Sequence, residues 1–483
     1  MSLWNNMDIR GLSYLFVVTL MVVLTGCSTA GPEFKQPVWQ PAQGGYFSAD
    51  QEGQAGSTAR VRPSILPAVQ HEWWTQFGSR QLNQWVAQAL AHNHHLDEAI
   101  EHVRAAQALL KAEGGDQLPR VDAELAAGRS RYGAEFLGPL PKPPAFNYFA
   151  LGLNIQYDLD LKGGIKRALE QQGAQVATEQ QRLAAAQLDL AGSVVRLSIR
   201  LAQLGDTRHD LVLMKSLIRK KKSMLEQAKE AGGIADHPLD QIQEDEQDIA
   251  IQIAKVQMQM DQTRADLAVL LGEAPSLLKR QTISLADLHI PLTLPLSVPS
   301  MLLEQRPDIQ IASDQLHAAT AAVGIAEARL YPSVVLTAQM GPQATDPAHL
   351  FEMANNSWGF GASLIEPILN RARLKGAHQA AQYQLKASWG AYHQTVIESF
   401  AQVSRVLAAI QHDHIEQKER TQQDSLILAE VERQKKAYLA GGGTSLDVLQ
   451  ANLKSVQEHA WLLDDRTEYL HDCVDFYMAM GIL

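Results

Sequence analysis

Beyond Leu24 the chain contains no apolar run near the roughly 20 residues that a membrane-spanning helix needs. No glycine-rich segment precedes Lys-Ser or Lys-Thr, so there is no loop to cradle a nucleotide phosphate and no energy source of its own. Only 2 cysteines are present, Cys27 and Cys473, which excludes a disulfide framework. Cations are in deficit: 42 Lys and Arg against 53 Asp and Glu leave a formal charge of −11, which argues against nucleic acid as a partner. Serine, histidine and aspartate are plentiful, but none has nucleophile-elbow spacing, and no enzymatic activity is expected.

The amino terminus sets the compartment. Arg10, an apolar run from Leu12 to Leu24 and then Thr25-Gly26-Cys27 read as a secretory signal peptide over residues 1–26. The small residues ahead of Cys27 resemble a bacterial lipobox. That resemblance implies cleavage before Cys27, an S-diacylglycerol on its sulfur and an N-acyl group such as palmitate. Two or more acyl chains anchor a protein stably where one is marginal. Ser28 is not the aspartate that retains lipoproteins at the inner membrane, so outward sorting to the outer membrane is implied. Residues 27–70 form an acylated linker, rich in Pro, Gly, Gln and Ser and without a core of its own.

The remainder is written twice. A shift of about 210 positions lays Pro332 on Pro119, Val334 on Val121, Gly361 on Gly152 and Leu446-Asp447 on Leu239-Asp240. Each copy, 71–280 and 301–483 with a linker over 281–300, reads as a helix, two strands, a very long helix, a polar tip and a return helix. In the first copy Val121, Ala123, Leu125 and Ala127 alternate with Asp122, Glu124, Ala126 and Gly128, and Phe149 to Tyr157 alternate in the same way. In the second, Val334 to Met340 and Trp358 to Leu364 repeat the pattern. An apolar face backed by small and polar residues over about 10 positions is the signature of an outer-membrane barrel strand. Four strands cannot close a barrel, and an open edge in hydrocarbon leaves backbone groups unpaired, so more than one chain must contribute.

The helices are too long for a globular core. From Leu169 an apolar residue recurs every seventh position through Val176, Leu183, Leu190, Leu197, Leu204, Leu211, Ile218 and Leu225, a coiled-coil seam. A helix from about residue 165 to 230 would span roughly 100 Å. The leading helix, about 81–113, is read as one continuous element. Gly441-Gly442-Gly443 ends the second long helix so that the chain can reverse. Beyond the reversals lie the repeat-related Asp447 and Asp240, each suited to cap the returning helix or to line a narrow pore. His92, His94 and His95 beside Asp97 and Glu98 read as a solvated helix face, and no metal site is expected.

Several stretches together resemble the outer-membrane efflux proteins (the TolC-like outer-membrane factors) in their lipoprotein branch. They are Gly31-Pro32-Glu33-Phe34-Lys35-Gln36-Pro37, Trp73-Trp74 with Phe77, Leu270-Leu271-Gly272, Arg306-Pro307-Asp308-Ile309, Leu330-Tyr331-Pro332-Ser333 and the tip from Gly441 to Leu449. Leu369-Asn370-Arg371 departs from the family's two-glycine turn, and Gly232-Gly233-Ile234 shifts the glycine register of the first tip. The resemblance implies a mainly α fold with β: an internally duplicated chain whose homotrimer forms a twelve-stranded barrel continued by a periplasmic α-helical barrel. Such a protein is the exit duct of a tripartite efflux or secretion system, conducting drugs or other small molecules from a periplasmic adaptor (membrane-fusion) protein and an inner-membrane transporter. It further implies a selectivity ring at Asp447, with Gln450 where some relatives place a second acid, and adaptor contacts at Gly441, Gly442, Gly443, Thr444 and Leu446. A lipid-anchored adaptor, or a coiled-coil tethering lipoprotein, is the rival reading; neither has duplicated lipid-facing strands.

Overall fold

The alternating segments pair as their patterns require. The computed structural model describes residues 29–37, 72–131, 144–232, 237–276, 283–289 and 305–481. Strands β1 (Arg120–Ser130), β2 (Phe146–Asp158), β3 (Ser333–Ala344) and β4 (Asn356–Ile365) form one antiparallel sheet in the order β1-β2-β3-β4. The register places Leu125 opposite Leu151, Leu153 opposite Met340 and Met340 opposite Trp358, so the apolar members share one face. Leu125, Met340, Trp358, Phe360 and Leu364 are all exposed there. The opposite face aligns Glu124 with Gly152, Asn154 with Gln339 and Thr337 with Gly361. Asn154 Nδ2 donates to Glu124 Oε2 at 3.0 Å across that face. A water-facing side backed by an exposed apolar side is what a barrel wall between lipid and water requires.

The helices are α1 (Arg80–His92), α2 (His94–Gly115), α3 (Gly164–Glu230), α4 (His237–Leu270), α5 (Pro307–Ala328), α6 (Arg371–Leu439) and α7 (Ser445–Met480). None described is long and apolar enough to cross a membrane. Every member of the seven-residue series in α3 is buried or half-buried, the outcome expected of a seam. The leading helix, expected as one element, is two. Asn93 has φ −77° and ψ 123°, donates from Nδ2 to Leu270 O at 2.9 Å and accepts from His95 N–H at 2.9 Å. Its amide thus caps the next helix, a local competition that apolar periodicity does not register.

The chain forms two compact units. One contains Val103–Glu179 and Ile311–His393 with the amino-terminal segment, and therefore the sheet. The other contains Gln180–Gln310 and Gln394–Leu483 with the residues leading to His102. The core of the second unit explains the Trp-Trp motif: Trp73 is 1 % exposed, stacks on Tyr477 at 5.1 Å between ring centroids and packs edge-on to Phe77. Near the tips, Leu211 and Ile218 of α3 pack with Ile242 and Ile249 of α4, and Leu453 of α7 rests on the same cluster.

Candidate gate at the helical tips

The glycines at the end of α6 close it with a full Schellman turn. Gly441 has φ +76°, its N–H donates to Tyr438 O at 3.0 Å, and Gly442 N–H reaches Ala437 O at 2.9 Å. Thr444 then opens α7. Its hydroxyl accepts from Asp447 N–H at 3.2 Å, while Asp447 Oδ2 accepts from Thr444 N–H at 2.8 Å and from its hydroxyl at 2.6 Å. This is a capping box, with aspartate in the place usually taken by glutamate. The Thr444 hydroxyl and amide hold the Asp447 carboxyl below the usual carboxylate range, so it is ionised across the physiological range. Leu446 is half-buried behind it. Asp447 also borders a groove of about 490 Å³ with Ile427, Glu430, Arg433, Gln434 and Lys454.

Asp240 lies in the first turn of α4 and is exposed. The preceding turn begins like the other: Gly232 has φ +76° and donates to Lys229 O at 2.8 Å. Its following residues, Gly233 among them, lie outside the described residues. In the basic stretch from Arg219 to Lys222 of α3, Arg219 Nε donates to Glu246 Oε1 at 2.8 Å and Lys222 Nζ to its Oε2 at 3.5 Å. Of the histidines, His94 pairs with Asp97 at 3.1 Å, while His95 and His102 share Glu98, each at 3.7 Å. Among the described residues no three His, Cys, Asp or Glu side chains are placed to hold a metal ion. Cys27 lies outside the described residues.

One titratable pair escaped the sequence reading. Asp413 of α6 has a buried Oδ2 without a donor, and its neighbour is Asp472 of α7. Two carboxyls form a hydrogen bond only while one keeps its proton. Burial, the Asp472 carboxyl and then Glu468 and Glu416 push Asp413 up to about 7. Asp472 is also raised, first by burial, with Asp475 and Glu468 adding to it. The buried Cys473 thiol is pushed up to about 12, first by burial and then by both aspartates, so it stays protonated and unreactive. The folded state thus binds the shared proton more tightly than the unfolded chain does. Its contribution to stability is complete below the ordinary aspartate value of 3.8 and is lost as pH rises through about 7. Thermal unfolding of the helical signal should therefore show wild type losing stability between pH 5 and pH 8. Asp413→Asn, whose amide can donate to Asp472 without titrating, should flatten that decline. Equal slopes in the two proteins would show that the pair carries no proton.

With the open sheet, long paired helices and capped tips in view, comparison with known proteins is decisive. The family model described as outer membrane efflux protein matches residues 85–273 and 298–481. The chain belongs to that family. It is an outer-membrane efflux channel component and not an enzyme. Its similarity to the pyoverdine export outer membrane protein OpmQ of Pseudomonas putida is 28 % identity, over 97 % of each chain. The probable outer membrane lipoprotein SilC of Salmonella typhimurium is 26 % identical over 97 % of this chain and 98 % of its own. The fold matches the solved outer-membrane channel OprN with a TM-score of 0.83 at 23 % identity, covering 94 % of this chain and 99 % of that one. The family model's two matched stretches reflect the internal duplication, and an adaptor or tether reading is set aside.

Proposed function

We propose that three copies close a twelve-stranded barrel and serve as the exit duct of a tripartite efflux or secretion system. The duct would pass drugs or other small molecules outward from a periplasmic adaptor and an inner-membrane transporter. The observation that carries this is the open sheet. Strands β1 and β4 lie at its margins, and its exposed apolar face suits lipid. Edges in hydrocarbon must be paired, which β4 of one copy and β1 of the next would accomplish. The family resemblance supplies the count of three. Light scattering of detergent-extracted protein should give three chains per particle, with strand signal beside dominant helix in circular dichroism. A monomer that keeps its strand signal would overturn the assembly.

Lipidation at Cys27 belongs to this reading, supported by the residues around it and by the lipoprotein description of SilC. Cys27→Ala should abolish palmitate labelling and leave most of the precursor uncut. Labelling that persists in the variant would rule out Cys27 as the acylated residue.

At the tip, Asp447 and Asp240 would stand near the axis of three chains, where rings of carboxylates attract cations. Asp447→Asn should weaken cation selectivity and divalent-cation block in planar bilayers. The asparagine oxygen still accepts the two bonds from Thr444, so trimer stability should hold. Unchanged conductance and block with a normal trimer would leave Asp447 as a helix cap alone. Gly441 to Gly443, Thr444 and Leu446 are the positions we assign to adaptor contact.

A further inference from the structure

The residues just after the lipid site are built into the sheet-bearing unit. Ala30 is 7 % exposed, and its N–H donates to Lys162 O at 2.8 Å. Arg167, in the first turn of α3 and itself 5 % exposed, donates from Nε to Ala30 O at 3.0 Å and from Nη2 to Gly31 O at 3.4 Å. Its remaining arm pairs with Glu170 Oε2 at 2.6 Å. Gly31 has φ +82°, and a Cβ there would stand 2.4 Å from the Cα of Gly324 in α5. The segment therefore meets α5 backbone to backbone, a fit open only to glycine. Three residues on, Phe34 stacks on His317 of α5 with centroids 4.2 Å apart, and His317 Nε2 lies 2.9 Å from Glu170 Oε1. Arg167, Glu170, His317 and Phe34 form one connected clamp.

A buried guanidinium that spends two donors on the main chain of an otherwise coreless segment fixes where that segment lies. Thr29 is two residues from Cys27, so acyl chains on Cys27 leave the polypeptide within about 7 Å of it, whatever path the two residues take. Helix α3 follows directly on β2, at the end of the sheet away from the strand-connecting loops. We propose that Arg167 is a positioning residue for the lipid anchor: by holding Ala30 and Gly31 against α3, it sets the acyl chains beside the helix-bearing end of the strands. Anchor and barrel then enter the bilayer at one place. This rests on acylation of Cys27 and on the barrel reading.

Lys35 supplies the assay, because it is exposed and is the first tryptic site after Cys27. Palmitate-labelled trimer in detergent is digested briefly, and release of the acylated peptide ending at Lys35 is followed by mass. Arg167→Ala should label as wild type does but be cut at Lys35 at least about tenfold faster, since it removes the charge-assisted hydrogen bonds to both Ala30 and Gly31. Its urea midpoint should fall as well, because Glu170 loses a buried partner, so cutting is compared in buffer without urea, where both proteins stay folded. Arg167→Lys, which keeps the charge but not the fork, should recover part of the protection. Phe34→Ala alters only the strap and should also accelerate cutting, which carries the test if Arg167→Ala fails to fold. Wild-type rates in both variants of a labelled protein would overturn the proposal alone. An unlabelled wild type would overturn the acylation reading as well.

Discussion

Arg306→Leu should lower stability by about 3 kcal/mol, the low end for breaking a buried ion pair, because Asp308 keeps part of its access to water. Arg306 is 6 % exposed and meets three elements at once. Its Nε and Nη2 clasp Asp308 at 3.0 and 2.7 Å, Nη2 also reaches Gln402 of α6 at 2.8 Å, and Nη1 donates to the carbonyl of Ala479 in α7. Asp308 in turn accepts from Ser399 at 3.4 Å. Leucine fills much of the volume yet leaves a carboxylate, an amide oxygen and a main-chain carbonyl without their donor. Lysine keeps the charge but cannot satisfy the forked geometry, so Arg306→Lys should fall between the two. Urea unfolding of the helical signal measures this. A midpoint for Arg306→Leu equal to wild type would show that the motif matters for something other than the fold.

Gly341→Val should nearly abolish recovery of channel from the outer membrane. Gly341 adopts φ +157°, and a Cβ there would lie 1.9 Å from Leu151 O and 2.8 Å from Gly152 Cα, both main-chain atoms of β2. Nothing flexible stands in the way to be pushed aside, so the β2–β3 ladder itself must part. An exposed backbone in hydrocarbon has no water to turn to. Gly361→Ala is the control: its Cβ would meet only Thr337 Oγ1, at an ordinary 3.6 Å. Outer-membrane fractionation with strand circular dichroism separates the two. Normal yield from Gly341→Val would mean that the ladder adjusts at this position.

These two residues mark how far the sequence alone can be read. The strands and long helices were legible because their periods, two and seven, persist over many residues and report which face is buried. The break at Asn93 was not, since apolar residues at Val86, Ala89 and Leu96 continue across it and the cap is one side chain's choice of partner. Arg306-Pro307-Asp308 was visible as a motif, but its reason, a fork shared by α6 and α7, exists only after folding. Asp413 and Asp472 were invisible for the same cause: neither is unusual until two helices bring them together. At the tip, Asp447 was legible as a cap or a gate. The structure shows the cap.

The water-facing side of β4 is nearly bare. Gly359, Gly361 and Ser363 stand there opposite Gln339, Thr337 and Val335, and on two of the three the chain presents peptide groups instead of side chains. A wall of that kind has few handles with which to tell one solute from another, so discrimination among cargoes falls to whatever loads the duct. It also offers empty volume. Bulky or charged residues placed at those glycines would act as a dial on bore and conductance, adjustable without touching the lipid-facing half of the strand.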